Sequence, residues 1–501
     1  MSKALVIGSG FAGISAASHL AQKGYEVKVL EKNEGAGGRC SVWHKDGFTF
    51  DMGPSWYWMP DVFDRYFNQF GKQVQDYYHL DRLDPGYRVF FPEDLRVDIP
   101  GNEMELFQLF DRLEENGGNK LKIFLNNAKA KYEAGMNDLV HRPSISFTEF
   151  IDFSIVKQVP KLKLFTSLTA EISSLFTSEA ARKLLEFPAY FLGALPKDTP
   201  ALYSLMNYAD LSLGTWYPQG GMHQIIKGMV SLAEELGVHF EYNAEVEKIL
   251  VDENGRARGV SVNEITYEAD LIVAGADYHH VESKLLEPKW RNYREGFWDK
   301  QVMAPSSLIY YLGIDKRLDN LLHHNLFFDE DIEQFGSDIY SKPQWPEKPL
   351  FYVCCPSKTD TSVAPKGKEN VFLLMPLAPD LEDTESLREK RFKFMVDKLE
   401  TITGTSVHDA ISVKRGFCIN DFKSRYHAYR GNAYGLANTL RQTAIFKPKM
   451  INKKVNNLFY TGQLTVPGPG VPPSLISGEV VANYISNKIP LTQKETYDAL
   501  A

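Results

Sequence analysis

Ala4-Leu5-Val6-Ile7-Gly8-Ser9-Gly10-Phe11-Ala12-Gly13 opens the chain, and the reading of this stretch decides the fold. Four consecutive apolar residues, Ala4 to Ile7, have the pattern of a short strand buried on both faces. The glycines follow at once, and Ile14 to Lys23 then reads as a helix closed by Gly24. Val27 to Leu30 is a second strand, ending at Glu31. Each glycine has its own task in such a turn. Gly8 permits the tight bend, Gly10 lets backbone N–H groups approach a pyrophosphate, and Gly13 lets helix pack on strand. The helix N-terminus adds partial positive charge, and Glu31 is placed to accept hydrogen bonds from a ribose diol. A purely structural turn is the weaker reading, because strand, turn, helix, strand and acid arrive in order. The acid also disfavours NADP, whose 2′-phosphate it would repel.

The next segment separates FAD from NAD. Gly35-Ala36-Gly37-Gly38-Arg39 forms a second glycine loop with a guanidinium able to hold phosphate charge. A simple NAD dehydrogenase has no use for it here. Asp46-Gly47 signals a hairpin turn, and Phe48 to Ser55 follows, with Gly53-Pro54-Ser55 able to bring backbone against the flat face of a flavin.

Bulk properties agree with a large soluble enzyme. At 501 residues, two or three intertwined domains are expected. Hydrophobic residues make up 44% and charged residues 24%, and the 13% aromatic content points to large apolar pockets. A formal charge of −8 argues against nucleic acid as a partner. The cysteines (Cys40, Cys354, Cys355 and Cys418) contain no C-x-x-C pair, and the histidines lack ligand spacing, so no metal site is expected. The usage fits a reducing compartment. Glycines and charges interrupt the first apolar stretch, so a strand and helix of a soluble domain is a better reading of it than a signal peptide. No apolar run approaches the ~20 residues of a membrane span. A cytoplasmic protein, resting peripherally on the inner face of the cell membrane, is the expectation.

Gly35 to Arg39 and Asp46 to Ser55 resemble the second motif and hairpin of the flavoprotein family that contains amine oxidases, protoporphyrinogen oxidase and carotenoid desaturases. Other pieces match along the chain: Tyr217-Pro218-Gln219-Gly220-Gly221-Met222 before a helix (His223 to Leu236), strands at Val238–Phe240, Ala244–Val251 and Ala257–Val262, and Leu271 to Ala276. Asn457 to Gln463 enters a turn, Pro467 to Pro473 is a Gly/Pro loop, and Ser474 to Ile485 is a helix. Within the family the chain resembles the bacterial-type phytoene desaturases over essentially its whole length. Gly53-Pro54-Ser55-Trp56, Gly275-Ala276-Asp277-Tyr278 and the ending Thr461-Gly462-Gln463 to Pro473 carry the likeness. One departure is Val466, where many relatives place a histidine before the Pro-Gly.

The resemblance implies an α/β fold: a Rossmann-like FAD domain with an inserted α+β substrate domain. The FAD domain is expected over 1–85, 216–282 and 426–501, and the substrate and membrane-contacting domain over 86–215 and 283–425. FAD would be held by Gly8, Gly10, Phe11, Ala12, Gly13, Glu31 and Lys32 at the start, Gly38 and Arg39 in the second loop, Pro54 and Ser55 after the hairpin. Val246 would meet the adenine through its backbone, and Gly462, Val471 and Pro472 would meet the flavin end. The implied reaction converts C–C to C=C in a long carotenoid, from phytoene toward lycopene. A hydride would pass to flavin N5, a proton would leave the adjacent carbon, and a quinone or oxygen would reoxidise the flavin.

A hydrocarbon substrate needs an apolar lining, and two segments supply one: Phe147, Phe150, Phe153, Leu162, Leu164, Phe165 and Leu168, then Phe187, Tyr190, Phe191 and Leu192. Ordinary core is the plain alternative for each. Ile151 to Leu168 mixes lysines with apolar residues, the composition of an interfacial helix or of a surface helix with one buried face. Glu179 and Arg182, at i and i+3, resemble an acid-x-x-arginine pair proposed to act in catalysis in the family; a surface ion pair is the plain alternative. Asp277, His279 and His280 read as capping and packing residues. Asp329–Lys348 and Lys358–Lys368 read as surface loops. Three functions compete: phytoene desaturation; a later 3,4-desaturation of lycopene, γ-carotene or a hydroxycarotenoid (with isomerase and saturase variants); and a flavin-free escort protein that binds prenyl tails.

Overall fold

The computed structural model describes residues 2–146, 149, 166–190 and 193–488. The opening stretch forms strand β1 (Lys3–Ile7), helix α1 (Phe11–Gln22) and strand β2 (Glu26–Leu30). Gly8 has φ 93°, and a Cβ on Gly13 would lie 2.0 Å from the Gly8 carbonyl oxygen. Both positions therefore require glycine.

β1 is central in a five-stranded sheet whose order is Leu458–Tyr460, Leu271–Ala274, β1, β2, His239–Glu241. Every pairing in it is parallel. The strands thus come from the start, middle and end of the chain. Burial on both faces explains their unbroken apolar runs, since Leu271–Ala274 is buried at every position. Ala244–Val251 is not one strand. Only Lys248–Val251 pairs, while Asn243 and Ala244 donate their N–H groups to Asn33 and Glu31 carbonyls at the end of β2.

A seven-stranded sheet provides the second layer, in the order Ile411–Phe417, Ser306–Ile314, Glu369–Leu377, Phe351–Cys354, His324–Phe327, Tyr87–Phe90, Arg96–Ile99. Its one parallel pairing, His324–Phe327 with Tyr87–Phe90, joins segments far apart in the chain. The hairpin Val42–Lys45 with Phe48–Asp51 turns at Asp46 (φ 49°) and Gly47 (φ 83°), the two positive φ values of a type I′ turn.

Three expectations need correction. Asp329–Lys348 carries a helix at Ile332–Gly336, capped by the Asp331 carboxylate on the N–H groups of Glu333 and Gln334. Lys358–Lys368 is not simply a surface loop, because Asp360 and Val363 are buried in it. The last helix runs Val471–Lys488, earlier than expected. Pro472 and Pro473 fit in its first turn, where a missing N–H costs no hydrogen bond. The expected interfacial segment at 151–165, together with Phe147, Phe150, Phe191 and Leu192, lies outside the described residues.

Candidate functional site

α1 begins at Gly10 without a side-chain cap, so the N–H groups of its first turn are available to a ligand. A Cβ on Gly10 or Gly35 would meet nothing within 4 Å, and one on Gly38 would lie 3.4 Å from the Gly10 Cα. The two glycine loops therefore touch, joined by the Gly37 N–H donating to the Ser9 carbonyl at 2.8 Å, with open space beside Gly10 and Gly35. Arg39 completes them. Its guanidinium donates a single long bond, 3.4 Å to the Asn432 carbonyl, and its buried Nε–H has no partner among the described residues. Burial lowers the Arg39 pKa, opposed by the nearby Asp277 carboxylate.

Glu31 stands where expected, at the end of β2. One carboxylate oxygen accepts from the Ser9 N–H and hydroxyl at 2.9 and 2.8 Å, the other from the Asn33 N–H and side-chain amide at 2.9 and 2.8 Å. These bonds hold the carboxylate against the phosphate turn. Lys32 instead donates to the Ser424 carbonyl at 3.0 Å. Val246 is buried two residues after Ala244, whose N–H donates to the Glu31 carbonyl.

The chain's end closes on its start. Gly462 has φ 110°, and its N–H donates to the Ser477 hydroxyl at 3.0 Å. A Cβ on it would lie 3.7 Å from Ala12 Cβ. Val471 and Pro472 begin the last helix, which packs along α1. Uncapped N–H groups, a buried guanidinium with an unpaired donor and glycine-lined space fit the pyrophosphate of FAD, with Glu31 at the ribose position. When bound, FAD supplies a hydride acceptor.

A buried clasp missed in the sequence fixes this region. Asp51, at the end of the hairpin, accepts from the N–H groups of Met222 and His223 at 2.7 and 3.0 Å. Burial raises its pKa to about 6, against those two bonds. Asp360 accepts from the Gly220 N–H at 2.6 Å and the Tyr217 hydroxyl at 3.3 Å. Together they pin Tyr217–Met222 between hairpin and second sheet. Asp51 sat inside a recognised motif; Asp360 was hidden in a charged run.

Beyond Pro54, the chain enters an aromatic region. Trp56 stacks on His324 at 4.1 Å between ring centroids and contacts Trp58, Tyr87 and Phe187. Phe187 also meets Phe328. Of the expected lining, Leu168 and Phe187 are buried, and Tyr190 lies edge-on to Phe328. Ser55 accepts from the Tyr352 hydroxyl at 3.0 Å, tying the segment to the seven-stranded sheet. Strand pairing also sets His324 opposite Cys354. His323, His324 and Cys354 then offer ligand atoms within 4.8 Å of one another, a grouping that local spacing did not reveal.

Glu179 begins the helix Glu179–Tyr190, and its exposed carboxylate pairs with Lys183 at 2.7 Å. That ion pair lowers its pKa. Arg182 is a neighbour, but the bond goes to i+4. Two open depressions, of about 660 and 700 Å³, lie elsewhere: one between Arg82, Asp84 and Lys129, the other beside Lys390 and Lys414. Neither touches the nucleotide loops.

Fold and site together define an FAD-dependent oxidoreductase. The family model for flavin-containing amine oxidoreductases matches residues 11–486, and the chain belongs to that family. A carotenoid 3,4-desaturase of Haloarcula japonica is 40% identical over 97% of this chain and 98% of its own length. A ζ-carotene-forming phytoene desaturase of Myxococcus xanthus is 33% identical over 95% of this chain and 92% of its own. Among solved structures, an oxidoreductase from Methanosarcina mazei covers 96% of this chain and 100% of its own at a TM-score of 0.60, with 17% identity. That last likeness speaks for the fold alone.

Proposed function

We propose that the protein is an FAD-dependent carotenoid desaturase, and that the bond it oxidises is the 3,4 bond near the end of a largely unsaturated carotenoid. The observation that carries this reading is full-length similarity, 40%, to a carotenoid 3,4-desaturase, with every dinucleotide loop in place. The aromatic region behind Pro54 and Ser55 supports it, since a polyene needs an apolar wall that excludes water. In this reading the glycine loops, Arg39 and the two helix N-termini hold the cofactor. The segment Pro54–Trp56 would lie between the cofactor and the substrate wall.

Phytoene desaturation is the second reading, favoured by the 33% identity to the Myxococcus protein. Lipophilic substrate and the basic, apolar 151–168 sequence support collection from the inner leaflet. Among the described residues, no helix is long and apolar enough to cross a membrane. A quinone or oxygen would take the electrons onward.

The test is anaerobic incubation of FAD-loaded protein with carotenoids in liposomes plus a quinone, followed by chromatography and absorbance. Lycopene or γ-carotene gaining one double bond, with phytoene untouched, supports the 3,4 reading. Stepwise products from phytoene to lycopene would replace it with the second. A protein that binds no FAD would sink both and restore the prenyl-escort reading.

A further inference from the structure

The geometry points to a site in the wall of the aromatic region where His323, His324 and Cys354 bind one borderline transition-metal ion of the Zn2+ class. His324 and Cys354 face each other across adjacent antiparallel strands, His323 immediately precedes the first, and their ligand atoms lie within 4.8 Å of one another. All three residues are buried.

The hydrogen bonds fix which nitrogens are free. Tyr352 donates its hydroxyl hydrogen to Ser55, so it accepts from His324 Nδ1 at 2.6 Å. Thr359 donates to the Pro356 carbonyl, so it accepts from His323 Nδ1 at 2.6 Å. With Nδ1 as the donor in each pair, both imidazoles present bare lone pairs at Nε2. Both Nε2 atoms are buried without a partner among the described residues. Leaving a buried acceptor unsatisfied is costly, and native proteins leave few of them. A cation answers both at once.

The surroundings match a metal site in other respects. A ligating histidine normally donates its second N–H to an outer partner that fixes the ring; Tyr352 and Thr359 fill that role. A thiolate on Cys354 and the carboxylate of Asp360, which acts on His323 electrostatically, would balance a dication. Two imidazoles and a thiolate select Zn2+ or Co2+ over Mg2+ or Ca2+. Tetrahedral ligands at Zn2+ stand roughly 3.3–3.8 Å apart, so the three side chains draw together around the ion. Three protein ligands leave one position open.

The experiment titrates Co2+, as spectroscopic probe, into the FAD-loaded full chain after chelator dialysis, and then adds Zn2+. Expected is one equivalent of Co2+ with intense tetrahedral d–d bands beyond the flavin absorption, displaced by Zn2+. Cys354→Ala and His324→Gln should abolish the bands. Tyr352→Phe, which keeps every ligand, should weaken binding roughly 10- to 100-fold. Flavin content and melting temperature report whether each variant folds. Absence of bands in flavin-loaded wild type, or bands unchanged in the two ligand variants, overturns the site. Should a ligand variant lose its flavin, Tyr352→Phe decides: wild-type affinity there overturns the proposal equally.

Discussion

Asp210 is a carboxylate whose protonation state the fold dictates. It is buried, accepts from the Tyr87 hydroxyl at 2.8 Å, and has its pKa raised by desolvation to about 7. The native state therefore keeps a proton that the unfolded chain releases near its ordinary value of 3.8. Stability from this group is greatest at low pH, falls between about pH 4 and 7, and is level above. In full the loss is about 4 kcal/mol. Asp210→Asn mimics the protonated acid and has no such dependence. Its melting temperature should gain on wild type as pH rises through that window; a constant difference would contradict the sign. Arg39 makes the complementary prediction. Its hydrogen bond to protein is long, so Arg39→Met should cost the flavin-free fold less than it costs cofactor binding. Losing charge-assisted bonds to a pyrophosphate, at about 1.5–3 kcal/mol, should weaken FAD binding by roughly 10- to 150-fold. Flavin fluorescence on dilution measures it.

At the scale of elements, α1 and the last helix form the joint between chain start and chain end. A Cβ on Gly478 would lie 2.6 Å from the Ala12 carbonyl oxygen and the Ala16 nitrogen. Gly478→Val must separate the helices, costing roughly 1–3 kcal/mol, and both melting temperature and flavin content should fall. Gly10→Ala gives the contrasting result. Its Cβ meets no protein atom within 4 Å, and its φ of −76° suits any residue. The flavin-free protein should melt within about 0.5 kcal/mol of wild type, while FAD binding is lost because the methyl group occupies phosphate space. Thermal melts with and without added FAD separate the two variants. Equal loss of flavin-free stability in both would break the distinction.

The whole molecule depends on segments that no local interaction joins. The proposed FAD cradle would use Gly8–Gly13, Glu31–Ser55 and Gly462–Pro472, which strands from both ends of the chain bring together. A ligand spanning them binds only the folded state. At a free concentration 100 times its dissociation constant, FAD should add about 2.7 kcal/mol of stability. Calorimetry of flavin-free protein against graded FAD should show the melting temperature climbing with concentration; no climb would mean the cradle is not the binding site.

The sequence by itself determined the βαβ opening, the type I′ hairpin and the cofactor class, because each is governed by short-range chemistry. Glycines at 8 and 13 answer local steric demands, Asp46-Gly47 answers a turn's dihedrals, and Glu31 follows its strand directly. The burial of the first strand was legible too, through its unbroken apolar run. What lay beyond reading depends on partners distant in the chain. Asp360 sits in a charged stretch, and only the fold brings it under Gly220 and Tyr217. Cys354 looked like one of two adjacent small residues until strand register set it against His324. Glu179 and Arg182 had the right spacing to be neighbours, yet the rotamer carries the carboxylate to Lys183. Periodicity specifies which face of an element is buried; register and packing decide what that face meets.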